Sequence, residues 1–230
     1  MSGKPVTLLA RTPIPGSDQE LILSRRDRDY SIQISGYLSD LMNSRMHHSE
    51  DLLAEWGCAG LRDKPGARVL VGGLGMGFTL AAALAALGPD AEVTVAELVP
   101  GVVEWNRGEL GSCAAYPLKD PRSTVHLGDV GELIRASKAA YDAILLDVDN
   151  GPDAMTHAEN AGLYDLAGLM AAARALRPGG VLAVWSAEKD AKFKRRLREA
   201  GYRVDERGAR ARPGKGAHHT VWLARVGSGR

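Results

Sequence analysis

From residue 67 onward the chain alternates short runs rich in β-formers with longer runs rich in Ala and Leu. The short runs predict strands at 68–71, 92–96, 124–127, 143–146, 181–185, 203–205 and 220–224. The longer runs predict helices at 78–87, 101–110, 131–137, 163–176 and 191–200. Alternation of this kind builds a doubly wound α/β fold, a mostly parallel seven-stranded sheet with helices on both faces. Arg177-Pro178-Gly179-Gly180 reads as the turn that ends one helix and launches a strand. Residues 210–219 join the last two strands without a helix, so these form an antiparallel hairpin at the sheet edge. The first 66 residues differ in texture. Strands are expected at 20–23 and at 31–34, where Ile32 and Ile34 alternate, followed by a helix over 38–56 carrying Leu38, Leu41, Met42, Leu52 and Leu53 near one face. Residues 1–66 thus read as a hairpin-and-helix lid on a catalytic domain of residues 67–230.

Composition changes this picture little. At 45% hydrophobic and 25% charged residues the chain is an ordinary globular sequence, neither disordered nor a disulfide scaffold. No run approaches the ~20 apolar residues of a membrane span, and no signal peptide is recognised, so a cytoplasmic setting with no membrane partner is expected. Cys58 and Cys113 are then free thiols, and no metal site is expected. The net charge of +1 hides an asymmetry: residues 189–230 hold 13 Lys/Arg against 4 Asp/Glu, and residues 1–188 hold 16 against 24. The basic end reads mainly as a solvated helix face, with a nucleic-acid patch as the weaker reading.

The strongest local signal is Val69-Leu70-Val71-Gly72-Gly73-Leu74-Gly75-Met76-Gly77, a strand running through glycines into a helix. Such a turn lets backbone approach a ligand and points helix N-terminal N–H groups at it. The spacing is G-x-G-x-G at Gly73, Gly75 and Gly77; Phe78 occupies the third position of the dinucleotide fingerprint. Glu97 ends the next strand, where a carboxylate can accept both hydroxyls of a ribose, and Gly128-Asp129 ends the third. Together they outline a nucleoside pocket beyond the carboxyl ends of the strands.

The runs RVLVGGLGMG, VTVAELVPGVVEWNR, VHLGDV, YDAILLDVDNGP and ALRPGGVLAVWS resemble the class I AdoMet-dependent methyltransferase superfamily, and within it the spermidine synthase-like branch. The resemblance implies that Gly73, Gly75, Met76 and Gly77 cradle the methionine part of the cofactor, Glu97 its ribose, and Asp129 with Val130 its adenine, with Leu98 packed on the ring. It further implies that Asp147 is the catalytic acid and touches the cofactor, and that HHSEDLLAEW covers the site.

Several positions depart from that branch. Its glycine turn usually reads GGGDGG, with the acid facing the aminopropyl end of decarboxylated S-adenosylmethionine; Leu74-Gly75-Met76-Gly77 carries none. Such an acid repels the carboxylate of ordinary S-adenosyl-L-methionine by about 3 kcal/mol at ~5 Å and an effective dielectric of ~20, a discrimination of roughly two orders of magnitude. The family's D-[ST]-S-D-P becomes Asp147-Val148-Asp149-Asn150-Gly151-Pro152, its Y-[HQ]-E becomes His48-Ser49-Glu50, and its segments walling the polyamine site are not recognisable after residue 186. On these grounds the sequence favours methyl transfer from S-adenosyl-L-methionine to a small-molecule acceptor. Polyamine aminopropyl transfer from decarboxylated S-adenosylmethionine is the alternative, and a nucleoside-binding protein without turnover a second. Asp147, Asp149 and His48 are the catalytic candidates; Glu50, Asn150, Tyr30 and Trp185 are the substrate candidates. A homodimer is expected from the frequency of that state.

Overall fold

A computed structural model of the chain describes residues 4–148 and 161–227. An N-terminal antiparallel sheet holds β1 (Thr7–Pro13), β2 (Glu20–Arg26), β3 (Asp29–Ile34) and the two-residue β4 (Met42–Asn43), in that spatial order. Helix α1 (His48–Gly57) leads into the main sheet. Its strands are β5 (Arg68–Gly72), β6 (Glu92–Glu97), β7 (Ser123–Leu127), β8 (Tyr141–Leu146), β9 (Leu176–Ser186), β10 (Tyr202–Arg212) and β11 (Lys215–Val226). The spatial order is β10-β11-β9-β8-β5-β6-β7. β5 to β9 are mutually parallel, and β11 runs antiparallel to both β9 and β10, so the edge hairpin forms as its sequence predicts.

The helices α2 (Phe78–Ala86), α3 (Pro100–Arg107), α4 (Val130–Ala136), α5 (Ala161–Tyr164), α6 (Leu166–Ala175) and α7 (Ala191–Glu199) complete the two faces. The central strands divide the core by their period of two. Val69, Val71, Ala143, Leu145, Val181 and Ala183 pack on one face with α1, α2 and the N-terminal sheet. Leu70, Ile144, Leu146, Leu182 and Val184 pack on the other with Ile134, Leu169 and Phe193. Ile32 and Leu53 are fully buried in the first cluster, which ties the N-terminal sheet to the main one.

Several elements differ from the sequence reading; β9, β10 and β11 run well past the strands expected at 181–185, 203–205 and 220–224, taking in Arg177–Gly180 and most of residues 210–219. The helix expected over 38–56 begins only at His48. Before it, Leu41 N–H donates to the Ile32 carbonyl, the Asn43 side chain accepts from Arg45 N–H, and Ser44 Oγ accepts from Tyr30 N–H. These local acceptors compete with helix formation, and they leave Leu38 fully exposed. β1 extends the expected hairpin; most of it is exposed, so it shows no hydrophobic alternation. The helix expected over 163–176 is interrupted at Asp165, which caps α6 by accepting from Gly168 N–H.

At the amino end of the sheet, Asp142 is 3% exposed and receives Lys64 Nζ at 2.6 Å, Arg68 N–H at 2.8 Å and Arg177 Nη1 at 2.8 Å. That carboxylate fastens the approach to β5 and the Arg177–Gly180 bulge of β9 to one point. The opposite, carboxyl end is left free for chemistry.

Candidate active site

β5 delivers its glycine turn against the end of β8. Asp147 N–H donates to the Gly72 carbonyl at 2.9 Å, and a Cβ on Gly73 would lie 2.3 Å from the Asp147 carbonyl oxygen. Gly73, Gly75 and Gly77 all have positive φ, at 88°, 50° and 85°, a region that glycine enters without steric cost. The buried Asn106 of α3 braces the turn by donating Nδ2 to the carbonyls of Gly75 and Val102.

Glu97 is 9% exposed at the end of β6. Its Oε2 accepts from Leu74 N–H at 3.0 Å and its Oε1 from Val99 N–H at 2.8 Å. Burial raises its pKa, and these backbone donors oppose the rise. Four backbone N–H groups in all, those of Leu74, Gly75, Leu98 and Val99, hold the carboxylate in place. Asp129 caps α4 through Gly131 N–H at 2.8 Å and pairs with Arg135 at 3.1 Å.

These groups surround a cavity of about 140 Å³. Gly73, Gly75, Glu97, Leu98, Asp129, Val130 and Asp147 form its floor, and Ile14 just after β1, with Leu21, Ile32 and Ile34 of the N-terminal sheet, forms an apolar roof. A second cavity of about 90 Å³ adjoins it, lined by Asn43, Glu50, Leu74, Met76, Phe78 and Trp185. Leu41, Met42, Gly75 and Asp147 line both, so Asp147 stands at their junction. A long groove with a carboxylate between two compartments can hold a nucleoside in one and an acceptor in the other.

Asp147 Oδ2 accepts from Thr79 Oγ1 at 2.5 Å. Desolvation raises Asp147 to about 6, against the opposing hydrogen bond from Thr79. Desolvation also raises Glu50, to about 7, with the charge of Asp147 the next cause. Two carboxyls that share a cavity compete for one negative charge. The Ser49 hydroxyl lies 2.5 Å from Glu50 Oε2 and 2.8 Å from Nδ1 of His219 on β11.

The structure brings together Gly73, Gly75, Met76, Glu97, Leu98, Asp129, Val130, Asp147, Glu50 and Trp185, but Met76 lies on the acceptor side rather than in the nucleoside groove. Gly77 lines neither cavity and serves as the left-handed N-cap of α2. His48 opens α1 but is absent from both linings; its neighbour His47 stacks on Phe78 with ring centroids 4.0 Å apart and bonds Asp51. Tyr30, expected at the substrate, is 7% exposed and donates its hydroxyl to Glu109 at 2.8 Å, away from the cavities. Asp149 and Asn150 lie outside the described residues. Sequence reasoning missed Thr79, Ser49, His219 and the four roof residues. Thr79 sits one helical turn's start beyond the glycines, a usable signal; His219 arrives through the pairing of β11 with β9, which no local pattern reports. The edge hairpin therefore reaches Trp185 of the acceptor cavity's lining through the His219 ring.

A Spermine/spermidine synthase domain model matches residues 58–197. The polyamine aminopropyltransferase of Mycobacterium tuberculosis strain H37Rv is 31% identical over 169 residues, which cover 72% of this chain and 30% of that protein. Putrescine N-methyltransferase 4 of Nicotiana tabacum is 37% identical over a shorter stretch of 117 residues, 50% of this chain and 28% of that protein. The chain thus spans under a third of the length of these curated relatives. Spermidine synthase from Thermotoga maritima shares the fold, with a TM-score of 0.74 at 18% identity, over 96% of this chain and 73% of that one. The expectation of methyl transfer is corrected by the family match and the longer aminopropyltransferase match, which back the alternative. The physical reason is visible in the site: acids reach the cavity beside Leu74–Met76 from α1 and the end of β8, so an acid-free glycine turn does not make an acid-free site. The chain belongs to the spermine/spermidine synthase family.

Proposed function

We propose that the chain transfers the aminopropyl group of decarboxylated S-adenosylmethionine to a primary amine. The observation that carries this reading is the pair Glu50 and Asp147 on one small cavity that adjoins the nucleoside groove. The residues present fit the nucleoside: a pinned carboxylate at Glu97, an apolar roof, and a glycine at 73 where no Cβ fits. When bound, decarboxylated S-adenosylmethionine supplies an electrophilic propyl carbon; the amine nitrogen bonds to it as the C–S bond breaks, and the electron pair leaves on a neutral thioether.

The chain's own residues handle charge and one proton. Glu50 and Asp147 attract a cationic amine into the cavity and take its proton, which an ammonium must lose before its nitrogen can attack. Their raised pKa values, about 7 and about 6, suit that exchange near neutral pH. Phe78, Met42 and Trp185 exclude water from the rest of the cavity. A methionine carboxylate in the same cavity would meet the two acids at a cost of about 3 kcal/mol for each charge at ~6 Å.

Incubation of the purified chain with putrescine and decarboxylated S-adenosylmethionine tests the reading by product analysis. Methylthioadenosine with an aminopropylated amine is the expected result; no methylthioadenosine with any primary amine would refute it.

A further inference from the structure

Ser49, behind Glu50 of the acceptor cavity, is the one fully buried residue whose hydroxyl touches two titratable side chains, among the described residues. A hydroxyl has one proton and two lone pairs. It donates to an ionised Glu50 while accepting from an Nδ1–H of His219, or accepts from a protonated Glu50 while donating to a bare Nδ1. The two orders are the start and end of a single proton transfer. His219 is half-buried, edge-on to Trp185 with ring centroids 4.7 Å apart, and so spans from the buried serine to solvent.

We propose that Ser49 and His219 form a proton relay that empties Glu50 after each turnover. The amine's proton reaches the Glu50 carboxylate and passes to Ser49 Oγ as the serine's own proton moves to His219 Nδ1. The imidazole then releases its Nε2 proton to water, and a flip of the neutral ring, which turns its bare nitrogen to Ser49, resets the chain. One proton enters and one leaves. The inference rests on the reading of Glu50 as the acid facing the amine, and both relay members act through Glu50 as positioning residues.

Transfer to the imidazole runs uphill from a carboxyl raised to about 7, and release to water draws the proton outward. Burial, then the neighbouring His218, lowers the His219 pKa, so the imidazole is a neutral acceptor at pH 7. Glu50 faces Asp147 at the end of β8 and Asp51 on its own helix, while Asp51 is bonded to His47. From β10, Arg207 lies over the Trp56 ring of α1 at 5.2 Å. Without a relay, a desolvated Glu50 beside a second carboxyl would hold its proton and block the next amine.

The first test needs no cofactor. The NMR titration of the His219 imidazole in the full chain should carry a second step near pH 7, the titration of Glu50 felt through Ser49, and Glu50→Gln should remove that step. The Ser49→Ala background should abolish that response. An identical His219 titration in wild type and Glu50→Gln overturns the relay. The second test is kinetic. His219→Ala should lower kcat roughly tenfold or more with KM for the amine little changed, and added imidazole should restore rate with a dependence on its basic form. A rise in KM alone, or loss of rate that imidazole does not repair, overturns the relay and leaves a packing role. These results are separable from the proposed reaction, since methylthioadenosine formed at full rate by His219→Ala sinks only the relay, whereas its absence in wild type sinks the reaction itself.

Discussion

Replacing Glu50 by Gln should make the protein more stable at alkaline pH while disabling it. Glu50 is raised from 4.5 to about 7, first by desolvation and then by the charge of Asp147. A carboxyl whose folded pKa lies above its unfolded value binds its proton more tightly in the native state. Stability therefore falls as pH rises through the interval between the two values, and the penalty is complete above pH 7. At 1.36 kcal/mol for each pKa unit the full penalty is about 3 kcal/mol. Glutamine keeps the oxygen that accepts from Ser49 and carries no charge to desolvate. At pH 8 Glu50→Gln should gain about 3 kcal/mol, or roughly 6–12 °C in Tm for a chain of this size. At pH 4, where the acid is protonated in both states, the gain should vanish. Thermal melts of both proteins at pH 4, 6 and 8 make the measurement. A gain equal at all three values would show that packing rather than charge is responsible, and a loss at pH 8 would refute the claim that Glu50 is held against a desolvation cost.

Other consequences follow from neighbouring contacts. Asp147→Asn should fold and bind nucleoside but lower kcat by roughly a hundredfold or more, read by methylthioadenosine release. Thr79→Val removes the hydrogen bond that lowers Asp147, so the acidic limb of the pH–rate profile should move to higher pH; an unmoved limb would detach Thr79 from the titration. Glu97→Gln turns an amide N–H₂ toward the Leu74 or Val99 N–H and should weaken nucleoside binding by roughly tenfold to a hundredfold in calorimetry, the worth of a hydrogen bond to a charged group. Gly73→Ala meets the Asp147 carbonyl oxygen at 2.3 Å on a backbone with φ 88°, and should lower Tm as well as nucleoside affinity.

The main sheet was legible because each central strand is a short apolar run and each joining helix is long enough to show its composition. β5, β6 and β8 fall within two residues of their expected positions, along with the glycine turn and Glu97. The segment around residues 38–47 was not legible: Leu38, Leu41 and Met42 keep helical spacing, yet Asn43 and Ser44 spend their side chains on local backbone donors and the chain turns. The acidity of the acceptor cavity was underweighted for a related reason. It depends on where α1 sets Glu50 relative to Asp147, almost a hundred positions later in sequence, and on the N-terminal sheet that closes the groove above them. Likewise His219 looked like part of a basic hairpin until the register of β11 on β9 carried it to Ser49.

The central claim, that Glu50 and Asp147 select a cofactor without its carboxylate, is tested most directly by titrating the chain with decarboxylated S-adenosylmethionine and with S-adenosylmethionine in the calorimeter. The account predicts tighter binding of the decarboxylated form by roughly two orders of magnitude at pH 8, a gap that narrows in Glu50→Gln. Equal affinities, or a preference for the intact carboxylate, would contradict it.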